Sequence, residues 1–191
     1  MACTSISLNG INSSCDASMG GILEVFLAPY AEISGVTADS AGTVTGVTMN
    51  DSGITFEASG TTGPGWASFK FRKNTSSLTK TLNKDDANGV EFYENDLTML
   101  FSKMEASKRT ELVALAKGGV IAVVKDANGI YWLLGLDEEV VVNELSGQTG
   151  TAKTDGNYYQ VVLRDSSKEL PNEISKALGD AVALAASQNA A

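Results

Sequence analysis

Val120–Leu163 reads VIAVVKDANGIYWLLGLDEEVVVNELSGQTGTAKTDGNYYQVVL. Val120 to Lys125 and Ile130 to Leu136 are β-branched and aromatic runs separated by Asp126-Ala127-Asn128-Gly129, a pattern that predicts a hairpin. Glu139 to Leu145, with Val140, Val141 and Val142 at its centre, predicts a further strand. Ser146 to Asn157 is rich in glycine and threonine and predicts a loop, after which Tyr158 to Arg164 closes the sheet. Within these runs no residue makes a convincing nucleophile, base or metal ligand. The stretch therefore points to surface and assembly before chemistry.

Upstream, the same punctuation recurs. Residues 1–20 are rich in Ser, Asn, Cys and Gly and read as an irregular leader, which Gly20-Gly21 releases into a strand from Ile22 to Ala28. Pro29 ends that strand or places it at a sheet edge, because proline cannot donate to a ladder. Gly42 to Thr48 predicts a short strand, Asp51-Ser52-Gly53 a turn, and Ile54 to Glu57 its mate. Ala58 to Gly65 reads as a loop, and Trp66 to Arg72 alternates as a strand. Leu78 to Leu82 pairs across Asp85-Asp86-Ala87-Asn88-Gly89 with a long return strand, Val90 to Phe101, bent near Asn95-Asp96. That hairpin is long enough to project from the body of the domain.

Two helices are expected. Ser102-Lys103-Met104-Glu105 has the form of a capping box, opening a helix near 103–117 with Met104, Leu112, Leu115 and Ala116 along one side and Gly118-Gly119 as its stop. Leu170-Pro171 reads as a hinge, and Asn172 as the N-cap of a terminal helix whose apolar stripe is Ile174, Leu178, Ala181, Val182 and Ala185. The stripe suits its own domain or a neighbouring subunit. No repeat of 20 to 50 residues is visible.

Composition narrows the function classes. A chain of 191 residues with 43% hydrophobic content can bury a substantial core, and no apolar run reaches the roughly 18–20 residues of a membrane span. The N-terminus lacks the pattern of a secretory signal, so the expected address is the compartment of synthesis. There are 23 acidic and 14 basic side chains, a formal charge of −9, which argues against duplex DNA as a ligand. Cys3 and Cys15 read as free thiols more readily than as a bridge. The count of histidines is 0, which removes Ser-His-Asp, Cys-His and imidazole-metal arrangements.

The remaining candidates for chemistry are few. Asp137-Glu138-Glu139 and Asp85-Asp86 are compact carboxylate groups, yet neither fits a calcium loop, and both read as solvated turns. Gly147-Gln148-Thr149-Gly150 and Gly60 to Gly65 lack the strand and helix context of a phosphate cradle. Trp66, Phe69, Phe71, Phe92, Tyr93, Tyr131, Trp132, Tyr158 and Tyr159 would need a basic groove to act as a stacking platform. Core and subunit-contact roles suit them better. No catalytic, cofactor-binding or metal residue is assigned, and no cofactor is expected.

The order of elements, namely strands, a long hairpin through Leu78–Phe101, a helix and then closing strands, resembles the tail tube (major tail) proteins of tailed bacteriophages. The closing wording is similar to those from phages of Bacteroides-type hosts: Lys117-Gly118-Gly119, Asp126-Ala127-Asn128-Gly129, Tyr131 to Gly135, and Ser146 to Lys153. The likeness covers residues 20–165 in pattern and 100–163 in wording. It departs at Asp155-Gly156-Asn157-Tyr158-Tyr159 and in the helical end, Asn172 to Ala191. The resemblance implies an irregular arm over 1–20, a tail-tube-like β-barrel or β-sandwich over 21–165, and a helical extension over 166–191. It also implies a non-enzymatic virion protein, made in the host cytoplasm, that forms homo-oligomeric rings, hexameric in the family. These stack into the tail tube, contact other tail proteins, and pass the genomic DNA without binding it or a membrane. The alternatives are a related neck, connector or baseplate ring, and a small-molecule or glycan-binding barrel using Trp66, Tyr131 and Trp132.

Overall fold

A computed structural model describes residues 17–49, 55–57, 65–72 and 74–189. Cys3, Cys15, the Asp51-Ser52-Gly53 turn and nearly all of the 58–65 loop lie outside the described residues. In chain order the strands are β1 (Ile22–Pro29), β2 (Ile33–Ala38), β3 (Val44–Met49), β4 (Thr55–Glu57), β5 (Ala67–Lys70), β6 (Ser77–Asp85) and β7 (Val90–Ser102). Helix α1 (Ala106–Leu115) follows, then β8 (Val120–Asp126), β9 (Tyr131–Leu134), β10 (Val141–Gln148), β11 (Tyr158–Ser167), β12 (Asn172–Ile174) and helix α2 (Lys176–Asn189).

The strands make two sheets. The larger has 8 strands in the order β2-β3-β12-β9-β8-β1-β5 with β4 beside β3, and the smaller has 4 in the order β10-β11-β7-β6. The fold is thus mainly β, as expected, but no barrel closes: β2 and β5 end the larger sheet, and β10 and β6 end the smaller one. The chain passes between them at an isolated bridge, Val120–Val140, just before β10.

Alternation along the central strands builds three layers. Val25 and Leu27 of β1, with Val120, Ala122 and Val124 of β8, meet Leu97, Met99, Val161 and Leu163 of the smaller sheet. Phe26, Ala28, Ile121 and Val123 point the other way, into a second core with Tyr131, Leu133, Leu178, Val182 and Ala185. Because both faces of the larger sheet are covered, β1 and β8 read as unbroken apolar runs, VFLA and VIAVV, rather than alternating ones. Each large side chain buried this way contributes about 1.5–3 kcal/mol.

The C-terminal segment differs from its expected form. Asn172 does not cap a helix; it begins β12, which pairs antiparallel with β9 and parallel with β3 through Ile174 and Val44. Its strand state comes from the partners on either side, β9 and β3, rather than from local propensity. Helix α2 then starts at Lys176, lies on β1, β4 and β5, and buries Leu178, Val182, Ala185 and Ala186 on its own chain. Its close approach passes through Gly179 above the Tyr131 ring, whose hydroxyl donates to Asp180 Oδ1 at 2.8 Å.

Helix α1 also departs from expectation. There is no capping box: Ser102 is the last residue of β7, Lys103 has φ 66°, and Glu105 sits at the N-cap without a side-chain cap bond. The left-handed turn at Lys103 breaks the phase that the box requires. Asn157 holds this corner instead, accepting from Lys103 N at 2.7 Å and, through Oδ1, from Met104 N at 2.9 Å. The Glu105 carboxylate pairs with Lys103 and Lys108. Of the expected apolar face only Leu112 is buried, beside Phe69 and Phe101, whose rings meet edge-on at 5.9 Å. Pro29, for its part, ends β1 at a 3-10 turn, Tyr30–Glu32, and β1 is not an edge strand.

Candidate functional site

The residues that might carry chemistry are dispersed. Trp66 and Tyr131 are each 1% exposed in the core under α2, whereas Trp132 packs on the opposite face of the larger sheet. The three rings therefore do not converge on a ligand. Asp85 is consumed within its turn, accepting from Ala87 N, Asn88 N and Asn88 Nδ2, and these donors hold its pKa below the usual carboxylate range. Asp137 accepts from Lys168 N at 3.0 Å. Among the described residues no group of three or more His, Cys, Asp or Glu is placed to hold a metal.

The glycine-rich segment after β10 is likewise occupied. The Asp155 carboxylate accepts from Thr151 N (2.8 Å), Thr151 Oγ1 (3.0 Å) and Ala152 N (2.7 Å), and the pKa falls because of those bonds. Amides that might cradle a phosphate already serve a carboxylate of the same loop. Gly147 belongs to β10, opposite Tyr159.

What remains distinctive is the smaller sheet. It is wholly antiparallel: β10 with β11, β11 with β7, and β7 with β6. Four strands that alternate in direction leave edge strands, β10 and β6, that run opposite to each other. Both edges are long, at 8 and 9 residues, and among the described residues neither is covered by another strand. Val141 (41%) and Leu145 (40%) on β10 and Leu82 (47%) on β6 are large apolar side chains open to solvent. The edges are blunted only in part, β10 by a register shift between Val142 and Glu144 and β6 by Lys80 and Lys84, and the open apolar side chains stand beside these devices.

The two edges are also staggered. Along β7, β6 pairs with Val90 to Thr98, while the β11 residues that face β10 pair with Asp96 to Ser102. A staggered sheet is one whose strands tilt when it is curved and closed. Beyond the last β11 partner, Ser167 against Tyr93, the tip of the β6–β7 hairpin continues alone. There Val90 is 45% exposed and Lys84 lies 3.2 Å from Asp86.

The outer face of this sheet carries a charged cluster, with half-buried Phe92, Leu100 and Val162 in the same phase. Arg164 on β11 makes a bidentate pair with Asp96 on β7, 2.8 Å for each bond, and reaches Glu94 at 3.0 Å. These carboxylates keep the guanidinium pKa above its ordinary value. Asn83 donates to Glu94 at 2.8 Å. The inner face is apolar until a polar row, Lys80–Asn95–Asp165, crosses β6, β7 and β11. Lys80 places its ammonium 3.4 Å from the Trp132 ring centroid, and burial lowers its pKa. This row was not singled out from sequence. Its signal was there in YYQVVLRD, where Asp165 keeps phase with Val161 and Leu163.

Comparison with family models, with curated proteins and with solved structures finds no match to this chain.

Proposed function

We propose that the chain is a structural, non-enzymatic virion protein that assembles into stacked rings forming a phage tail tube, a conduit for the genome. The observation that carries this reading is the pair of free, oppositely directed edges on the smaller sheet. When copies are related by rotation about an axis, β10 of one copy comes beside β6 of the next, antiparallel, with no change of strand sense. The sheets of neighbouring copies then join into one continuous wall, and the stagger supplies the tilt a closed wall needs. The hexameric count comes from the resemblance, and the projecting hairpin tip is the element available to a second ring.

The charge supports the same reading. A conduit must not hold what passes through it, and a formal charge of −9 repels phosphate. The charged cluster on the outer face of the smaller sheet, with Glu94 and Asp96 paired to Arg164, suits a wetted wall. The glycan-binding alternative lacks its platform, because Trp66 and Tyr131 are core residues.

Negative-stain microscopy of the purified protein, with sedimentation velocity beside it, tests the proposal. Rings or tubes are expected, and Val141→Lys with Leu145→Lys should abolish them while leaving thermal unfolding within about 0.5 kcal/mol, as for other surface changes. A protein that stays monomeric at high concentration overturns the proposal. Rings that never stack would move it to a neck, connector or baseplate ring.

A further inference from the structure

Resting on the ring reading proposed above, we infer a particular seam between copies: Leu145 on β10 of one copy stands directly opposite Leu82 on β6 of the next. This register sets the strand tilt of the wall whatever the number of copies.

Phase restricts the choice first. Leu145 pairs with Val161, a residue of the core between the sheets, so it belongs to the inner face. On β6, Leu78 pairs with the buried Leu97, which puts Leu78, Lys80, Leu82 and Lys84 on that same face. A seam that keeps the inner face continuous must set Leu145 opposite one of these residues, because a slip of one residue turns the strand over.

Closure restricts it further. Traced through β11, Leu145 lies level with Met99 of β7, whereas Leu78, Lys80, Leu82 and Lys84 lie level with Leu97, Asn95, Tyr93 and Glu91. Joining copies at these positions shifts the ladder by two, four, six or eight residues for every four strands. Four strands span about 19 Å across a sheet, and each residue rises about 3.3 Å along it. The shifts thus correspond to tilts of about 20°, 35°, 45° and 55°, and closed walls take about 35–45°. Lys80 and Leu82 remain. Total shift and strand number grow together with each added copy, so the tilt is the same for any ring size.

Side chains separate the two. Opposite Lys80, Leu145 would press on an ammonium already engaged 3.4 Å from the Trp132 ring centroid. Opposite Leu82, two apolar side chains that are 40% and 47% exposed in the single copy cover each other. The neighbouring pairs agree. Gly147 then faces Lys80 and brings no side chain against it, Ser146 faces Thr81, and Glu144 faces Asn83. No two of these carry like charges. Slipping on by two residues, to Lys84, would instead set Glu144 against Asp85.

Thiol cross-linking tests the seam in the full chain carrying Cys3→Ser and Cys15→Ser. Leu145→Cys is combined in turn with Lys80→Cys, Leu82→Cys and Lys84→Cys, and rings of each reduced protein are read by negative-stain microscopy. Opposite Cβ atoms stand about 5 Å apart and those two residues off about 7–8 Å, so the Leu82→Cys pair should oxidise into covalent multimers at least about tenfold faster. Ring-forming protein in which another pair is fastest, or all pairs are equal, overturns the Leu145–Leu82 seam and leaves the ring reading standing. An unsubstituted chain that stays monomeric overturns both. A charge pair gives a second measurement. Leu145→Glu and Leu82→Lys should each lower the yield of rings, and the double variant should restore it. A double variant that unfolds like the unsubstituted chain yet stays as poor in rings as the single ones also overturns the seam.

Discussion

Gly179→Ala should destabilise this protein, against what helix propensity alone predicts. Gly179 lies in α2 and donates its amide to Ser175 O at 3.0 Å, so alanine would gain at most about 1 kcal/mol as a better helix former. Yet an alanine Cβ would stand 2.5 Å from Tyr131 Cγ and 2.7 Å from Cε2, inside van der Waals contact with the ring. The ring cannot retreat freely. It is 1% exposed, and its hydroxyl is anchored at 2.8 Å to Asp180, the residue after Gly179. Overpacking of this kind typically costs about 1–3 kcal/mol, and straining the anchored hydroxyl adds up to about 1 kcal/mol more. Subtracting the full propensity gain leaves a net loss of about 0–3 kcal/mol, centred near about 1.5 kcal/mol, or a few degrees in Tm for a domain of this size. Urea unfolding with a shared slope measures it. Tyr131→Phe releases the anchor, so the double variant should lose less than the sum of the two single losses. A Gly179→Ala protein more stable by about 1 kcal/mol would refute the seating of α2 on Tyr131.

Three further outcomes are expected. Leu112→Ala should cost about 2–3 kcal/mol in urea unfolding, because it is the one buried side chain of α1, while Val113→Ala, 39% exposed, should change stability by under about 0.5 kcal/mol. Arg164→Lys should lose the bidentate grip on Asp96. For this partly exposed group the loss is about 0.5–1 kcal/mol, and it should shrink when unfolding is repeated in high salt. Asp180 has a pKa held down first by the Lys176 hydrogen bond and then by Tyr131. Its contribution is therefore present above the unfolded carboxylate pKa and lost as pH falls through the folded one. Asp180→Asn should flatten the acid limb of the stability profile by a few tenths of a kcal/mol, since the pair is half-exposed.

Much of the fold was legible where sequence pattern and burial coincide. Strands buried on both faces announce themselves as unbroken apolar runs, so β1 and the β8–β9 hairpin read plainly from VFLA and VIAVV. The β6–β7 hairpin followed from Asn88-Gly89, whose glycine takes φ 67°. By contrast β12 is Asn-Glu-Ile, too short to alternate, and its strand state comes from the partners on either side. The 33–38 segment went unassigned because Gly35 and its exposed neighbours carry no apolar phase. The Ser102–Glu105 box misled because a four-residue motif does not reveal a left-handed Lys103. The free edges of the smaller sheet could not be read at all, for an edge is defined by the absence of a neighbour.

The position of β12 bears on how this chain is made. Ile174 bridges Val44 on one side and Tyr131 on the other, so strands β2 to β4 have no place in the larger sheet until that residue arrives. A ribosome delivers every other strand of the described residues first, and the early strands must wait through most of their translation. Such long-range closure slows folding and leaves unpaired strands exposed meanwhile. A nascent chain halted before residue 172 should remain sensitive to protease and engaged by chaperones. One extended past α2 should not.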